Sequence, residues 1–229
     1  MEPGKPCDPG GRKWRPEQEH AAGFCNQAIG PIFLFFTGFS EDEVYQPAED
    51  TFLLLKAAFS EACSEDLVLE IGCGSGLVSI ELAFKVCSIT ATDINPHATC
   101  ATRSRADACA IDIGIVRTDL FLGIKGRFDL ILFNAPYLPT EAEERTGRWI
   151  DYALDGGESG RETINRFLRD LGEHLSLKGR ALLLISSLTG LHEVQETANS
   201  FGLTSELVAS ERCFFEQLHV LKIAARDRA

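Results

Sequence analysis

The sequence predicts an α/β fold: a mostly parallel sheet of seven strands, helices on both faces, and an antiparallel strand near the C-terminus. Three observations predict it. From Asp50 onward, short apolar runs that fit strands alternate with runs of helical periodicity. The first strand runs directly into a glycine-rich turn, Gly72-Cys73-Gly74-Ser75-Gly76. The last two strand-like runs have no helix between them, and a parallel pair would need such a crossover.

Taken in order, Thr51 to Ser60 has helical spacing, with Phe52, Leu55 and Phe59 on one face. Leu67 to Ile71 is a buried strand, and Leu77 to Lys85 continues beyond the glycines as a helix. Ser88 to Thr92 is the second strand, followed by Asp93-Ile94-Asn95-Pro96 and another helix. Ile113 to Arg117 and Phe128 to Phe133 are the third and fourth strands. An amphipathic helix spans Arg161 to Leu175, a fifth strand Arg180 to Ser186, and a helix Leu191 to Ser200. Leu203 to Ala209 and Phe214 to Ile223 are the closing strands. Sheets of this kind bind ligands beyond the carboxyl ends of their strands. Residues 1–40 differ: Met1 to Gly30 is rich in Gly, Pro and charge without periodicity, which predicts a poorly ordered N-terminal extension. Phe33 to Phe39 could dock as a hydrophobic strap on the folded domain expected over 41–229.

Composition bounds the function. With 229 residues and 45% hydrophobic content, the chain can bury a sizeable single core. Lys plus Arg is 22 against 34 for Asp plus Glu, a net charge of −12. Such a surface repels polyanions and counts against non-specific nucleic-acid binding, although a local basic patch stays open. None of the eight cysteines stands in C-x-x-C spacing, so no metal site is expected. Several lie in apolar runs, as reduced thiols of a cytoplasmic protein would. No apolar run is long enough to span a membrane. Pro31 to Phe36 is too short and too late for a signal peptide.

The chemistry gathers at the strand ends. Gly72, Gly74 and Gly76 permit a tight turn and close approach of backbone to a ligand, and the next helix starts at the same point. A glycine turn made only for packing is the alternative. Asp93 ends the second strand, 17 residues after Gly76, where a carboxylate can accept from both hydroxyls of a ribose. Capping the helix that begins at Pro96 is its plainer role. After the third strand, Asp119 can accept from an adenine amino group and Leu120 can pack on the ring, unless Asp119 is simply a turn residue.

The fourth strand ends in Asn134-Ala135-Pro136-Tyr137. An amide or exocyclic amine nitrogen is a weak nucleophile because its lone pair is delocalised. Two acceptors that hold both N–H bonds favour the charge that develops on it. The Asn134 side-chain carbonyl and the Ala135 backbone carbonyl can be those acceptors, and Tyr137 can stack on the planar group and orient it. Asn and Pro also favour ordinary turns, so the motif depends on its position after a buried strand.

These residues, with Tyr45-Gln46-Pro47-Ala48-Glu49-Asp50-Thr51-Phe52, Ala153 to Gly157 and Gly160-Arg161-Glu162, carry a resemblance over about residues 41 to 223. The chain resembles the class I S-adenosylmethionine-dependent methyltransferases with an Asn-Pro-Pro-Tyr motif. Within them it is similar to the HemK-like protein glutamine N5-methyltransferases, in their short archaeal and eukaryotic form. The resemblance implies a Rossmann-like fold and S-adenosyl-L-methionine as cofactor. It implies that Thr51, Glu70, Gly72, Asp93, Asp119 and Leu120 contact the cofactor, with Gly74 and Gly76 in the same loop. Asn134 would face both the cofactor and the substrate amide. Ala135 replaces the family's usual Pro, yet keeps the carbonyl that the chemistry uses, and Pro136 still biases it toward an extended backbone. The larger helical substrate domain of bacterial members is missing. The resemblance to the short form implies a small zinc-containing activator subunit as partner, and Ile111 to Val116 is the candidate edge for its strand.

The loop from Leu138 to Gly160 is long and charged. Arg145, Arg148 and Arg161 could meet an acidic or RNA-mimicking protein, or the loop could be merely solvated. The function expected first is methylation of the glutamine in the Gly-Gly-Gln loop of a class-I translation release factor. Adenine N6 methylation of nucleic acid offers the same planar NH₂ but fits the negative charge poorly. Lysine methylation stays open, and an inactive scaffold would be expected to have lost the glycine loop or Asn134, which are both intact.

Overall fold

The computed structural model describes residues 43–226. The expectations for the N-terminal extension and for Phe33 to Phe39 lie outside the described residues. The described chain belongs to one compact unit that begins at Phe39.

The elements are α1 (Glu49–Glu61), β1 (Leu67–Ile71), α2 (Leu77–Leu82), β2 (Ser88–Asp93), α3 (Pro96–Cys109), β3 (Gly114–Arg117), β4 (Phe128–Asn134), α4 (Asp151–Leu154), α5 (Glu162–His174), β5 (Leu175–Ser186), α6 (Leu191–Ser200), β6 (Leu203–Arg212) and β7 (Gln217–Ala225). The seven strands form one sheet in the order β3-β2-β1-β4-β5-β7-β6. The pairs from β3 to β5 are parallel, and β7 runs antiparallel to both β5 and β6. The closing hairpin therefore inserts its second strand beside β5 and leaves β6 at the edge.

Both faces of the sheet are apolar, as buried parallel strands require. Along β1 and β4, Val68, Leu130 and Leu132 join one core cluster with α1, α2 and α3, while Leu69, Ile71, Ile131 and Phe133 join another with α5 and α6. The alternation is the strand period of two, with hydrophobic side chains at both phases. The half-buried Arg180 of β5 and the buried Asp66 before β1 form a clamp: two guanidinium nitrogens reach the carboxylate at 2.8 and 3.1 Å, and Arg180 also donates to the Asp129 carbonyl at 2.7 Å.

Several boundaries differ from the sequence reading. The expected helical face of Phe52, Leu55 and Phe59 exists, but it is not the buried one. Leu53, Leu54, Ala57 and Ala58 face the core, Leu55 is half-buried, and Phe52 and Phe59 are exposed. Leu53, Leu54, Ala57 and Ala58 repeat at helical spacing and form the apolar stripe that meets the core. Helix α2 ends at Leu82 rather than at Lys85. Strand β5 begins earlier than expected, at Leu175, with its register to β4 shifted between Phe128 and Leu130. Phe214 does not open a strand. A hydrogen bond from Cys213 N to Glu216 O closes the hairpin, and Phe214 and Phe215 stand at its tip, 92% and 90% exposed. Among the described residues all six cysteines are free thiols, and no His, Cys, Asp and Glu grouping suits a metal. No described helix is long and apolar enough to cross a membrane.

Candidate active site

The carboxyl ends of β1, β2, β3 and β4 open on a cleft of about 570 Å³. Register explains the convergence. Ile71 pairs with both Thr92 and Phe133, and Asp93 pairs with Arg117, so the residues that follow each strand emerge side by side. Of the residues expected at the site, Gly72, Gly74, Asp93, Asp119, Leu120, Asn134, Ala135, Pro136 and Tyr137 line this cleft. Thr51 and Glu70 line a small adjoining recess shared with Gly72, Gly74 and Asn134.

Gly76 lines neither. Its φ is +78°, and a Cβ built on it would lie 2.8 Å from the Thr102 hydroxyl and 2.9 Å from the Thr102 Cα. Here the packing role is the one visible: Gly76 lets α2 start against α3. Glu70 is buried and accepts from the Ser79 hydroxyl of α2. Full burial pushes its carboxyl pKa up to about 8, against the opposing effect of the Ser79 hydrogen bonds.

Asp93 organises the glycine loop. One carboxylate oxygen accepts from Gly74 N and the other from Asn95 N, both at 2.9 Å. The capping role considered for Asp93 falls instead to Asn95, whose side chain accepts from His97 N at 2.8 Å at the start of α3. Burial still raises the Asp93 pKa despite those backbone donors. Asp119 is engaged by Arg166 of α5 at 2.6 Å, a partner not legible in the sequence. Leu120 is buried with a positive φ of 47°, a conformation that a branched residue adopts only when its surroundings enforce it.

Asn134 carries the clearest signature. Its Nδ2 donates to Asp50 Oδ2 at 2.9 Å. Its Oδ1 is buried and has no hydrogen-bond partner among the described residues. Buried acceptors are normally satisfied, so an orphan in a cleft marks a place where a donor is expected to arrive. Ala135 beside it is buried, and Tyr137 is half-buried against the core. Burial and the nearby Asp50 carboxylate hold the Tyr137 phenol neutral, well above its usual pKa. Tyr45 is raised in the same way and donates to Asp50 at 2.9 Å. Tyr45 and Asp50 both stand in the motif that leads into α1, where no local pattern shows a task for either.

The loop after Tyr137 forms the outer wall. Leu138 bridges to Asp155, and its carbonyl accepts from Gly156 N at 2.9 Å. Trp149 and Tyr152 line the cleft, and Arg117 lies 5.5 Å from the Trp149 ring centroid. Two arginines considered for substrate contact are engaged within the chain: Arg145 pairs with Asp155 at 2.6 Å, and Arg161 donates to the Thr189 carbonyl at 2.6 Å.

A groove at these strand ends, with a ribose-compatible carboxylate, an apolar wall and a carbonyl beside an aromatic ring, fits S-adenosylmethionine together with a planar nitrogen. Known proteins agree. Residues 38–150 match the model of the methyltransferase small domain. A Methanocaldococcus jannaschii protein, provisionally named a protein N5-glutamine methyltransferase, is 41% identical over 180 residues, which cover 78% of this chain and 90% of that protein. The Schizosaccharomyces pombe protein named eRF1 methyltransferase catalytic subunit mtq2 is 30% identical, over 79% of this chain and 89% of its own. A solved structure described as the E. cuniculi Mtq2-Trm112 complex, responsible for methylation of the translation termination factor eRF1, superposes with a TM-score of 0.65. It is 24% identical and covers 80% of this chain and 99% of its own, a likeness of fold. This chain therefore belongs to the class I S-adenosylmethionine-dependent methyltransferases, in the short form of the HemK-like protein glutamine N5-methyltransferase family.

Proposed function

We propose that this enzyme methylates the side-chain amide of the glutamine in the Gly-Gly-Gln loop of a class-I translation release factor, in the cytoplasm. The observation that carries the reading is the unpartnered Asn134 Oδ1 at the cleft. A primary amide brings two N–H donors on one planar nitrogen. Asn134 Oδ1 can take one and the Ala135 carbonyl the other, while Tyr137 packs on the plane. Holding both N–H bonds localises charge on the nitrogen and sets its direction of attack. S-adenosylmethionine, when bound, supplies the electrophilic methyl group. Gly72, Gly74, Asp93, Asp119 and Leu120 are the residues we assign to holding it, with Thr51 and Glu70 alongside.

The substrate assignment draws on the relatives: the S. pombe protein is named for eRF1, and this chain spans nearly all of its length. That relative is also named a catalytic subunit, which implies a second one. We assign this chain a small zinc-containing activator. Strand β3, at the edge of the sheet with Val116 exposed, offers the unpaired backbone that a partner strand can extend. The exocyclic amine of adenine would suit the same acceptors. The net charge of −12 and the internal engagement of Arg145 and Arg161 disfavour a polyanion.

The test is mass spectrometry of a recombinant release factor incubated with the enzyme and S-adenosylmethionine, with and without the activator. A gain of one methylene mass on the Gly-Gly-Gln glutamine is expected. No gain in either arm, with cofactor binding confirmed, would redirect the reading to nucleic-acid or lysine substrates.

A further inference from the structure

We propose that Asp50 is the positioning residue of this site: it holds the Asn134 amide in the one orientation that presents an acceptor, rather than a donor, to the substrate nitrogen. The inference rests on the catalytic reading of Asn134 and deepens it. An asparagine side chain is nearly symmetric in shape, and its two ends differ only in chemistry, one accepting and the other donating. An Asn134 turned over about its last bond would fill the same space with NH₂ facing the substrate. It would then repel the amide it should hold. Something must decide between the two orientations.

Asp50 is placed to decide it. It lies in the first turn of α1, buried, and reaches across 84 residues of sequence to the end of β4. Four donors converge on its two oxygens, the complement of a group that only accepts. Oδ1 takes the Thr51 backbone N–H at 2.6 Å and the Thr51 hydroxyl at 3.2 Å. Oδ2 takes the Tyr45 hydroxyl and Asn134 Nδ2, each at 2.9 Å. A carboxylate oxygen cannot satisfy the Asn134 carbonyl, so the NH₂ must point at Asp50. Oδ1 is the end left without a partner.

The arrangement makes Asp50→Asn an informative change. The Thr51 N–H belongs to the backbone and cannot reverse, so the new amide would turn its oxygen toward Thr51. Its NH₂ would then face Tyr45 and Asn134. The Tyr45 hydroxyl can accept as well as donate. Asn134 can respond only by turning over, which directs its own NH₂ to the substrate. A near-isosteric substitution at Asp50, which lines the same cleft, would thereby invert the polarity that Asn134 presents there.

The experiment has two readouts on the intact protein. In the first, side-chain amide NMR of the wild-type protein, with the Asn134 signal identified by its loss in Asn134→Ala, reports the hydrogen bond directly. A downfield, slowly exchanging Nδ2 proton is expected, and it should disappear in Asp50→Asn. A fast-exchanging Asn134 amide in the wild type would overturn the proposal without recourse to any variant or substrate. The second is a double-mutant cycle in kcat and in cofactor affinity. Asp50→Asn should lower kcat roughly a hundredfold or more, the scale of losing one preorganised partner of a developing charge, with cofactor affinity little changed. In an Asn134→Ala background it should cost almost nothing further. Equal losses in both backgrounds would mean that Asp50 serves α1 and not Asn134. Wild-type turnover by Asn134→Ala would sink the catalytic reading itself, while the NMR result would still say whether the bond exists.

Discussion

Asn134 and Asp93 show how single side chains divide the work at the strand ends. Asn134 spends its donor on Asp50 and keeps its acceptor. Asp93 uses one lone pair on each oxygen to hold the glycine loop and the turn into α3, and it lines the cleft with the rest. If Asp93 holds the ribose as proposed, removing it should act on the cofactor in two ways, by deleting that acceptor and by freeing Gly74 N. Asp93→Ala is expected to weaken S-adenosylmethionine binding by about 1.5–3 kcal/mol, the range for a hydrogen bond to a charged group. Titration calorimetry checks this, and unchanged affinity would remove Asp93 from the cofactor site. The motif residues were legible because each follows a strand in the predicted order. Their partners were not: Arg166 meets Asp119 across 47 residues, a pairing that no local pattern announces.

At the scale of elements, the glycine loop and α2 act as one unit. Gly72, Gly74 and Gly76 all adopt positive φ, yet their surroundings differ. A Cβ at Gly74 would find nothing nearer than the Tyr45 carbonyl at 3.8 Å, whereas one at Gly76 would strike Thr102 below 3 Å. Gly74→Ala should therefore cost about 1–2 kcal/mol of stability, the backbone cost of a left-handed alanine. Gly76→Ala should cost clearly more, because α2 or α3 must also move. Urea denaturation of the two variants separates these, and equal midpoints would refute the packing role of Gly76. Helix α1 teaches a related lesson. Its Phe52, Leu55 and Phe59 announced a face, but the core took the neighbouring stripe of Leu53, Leu54, Ala57 and Ala58, a second apolar face at the same helical period. The β6–β7 turn was misplaced for a similar reason. Apolar residues extend a strand pattern on paper, while the hairpin closure between Cys213 and Glu216 leaves Phe214 and Phe215 outside it.

For the whole molecule, a buried acid in the central strand β1 and a partly buried one at the end of β2 link stability to pH. Glu70 has an ordinary pKa of 4.5 in the unfolded chain and one of about 8 when folded, because burial penalises its charge. Below about pH 4.5 the group is protonated in both states and takes nothing from stability. As pH rises toward 8 the unfolded chain gives up the proton while the folded one keeps it, so stability falls, by at most about 1.4 kcal/mol per pH unit for one proton. Asp93, raised by the same cause, adds to the trend. The melting temperature of the cofactor-free protein should therefore decline between about pH 5 and pH 8, and Glu70→Gln should flatten the decline. An equal slope in the variant would show that Glu70 does not carry it. Toward the acid limit the opposite sign takes over: against burial, which acts to raise it, the hydrogen bonds from Arg180 and the Cys63 backbone hold Asp66 below its usual pKa, and that contribution is lost as it protonates.

The order of the seven strands along the chain, the mostly parallel sheet class, and the placing of the glycine turn and of Asn134 to Tyr137 directly after strands were all legible in the sequence alone, whereas the short helix α4 was not. Each legible feature rests on local information: periodicity, glycine spacing, or a residue directly after an apolar run. Only the tertiary structure decided which face of α1 is buried, that Gly76 packs while Gly72 and Gly74 line the cleft, and that Arg145 and Arg161 are engaged within the chain. It alone brought Asp50 to Asn134. Those outcomes depend on contacts between residues far apart in the chain, whose competition for the same space and the same hydrogen bonds is settled only when the sheet closes and its two faces are covered.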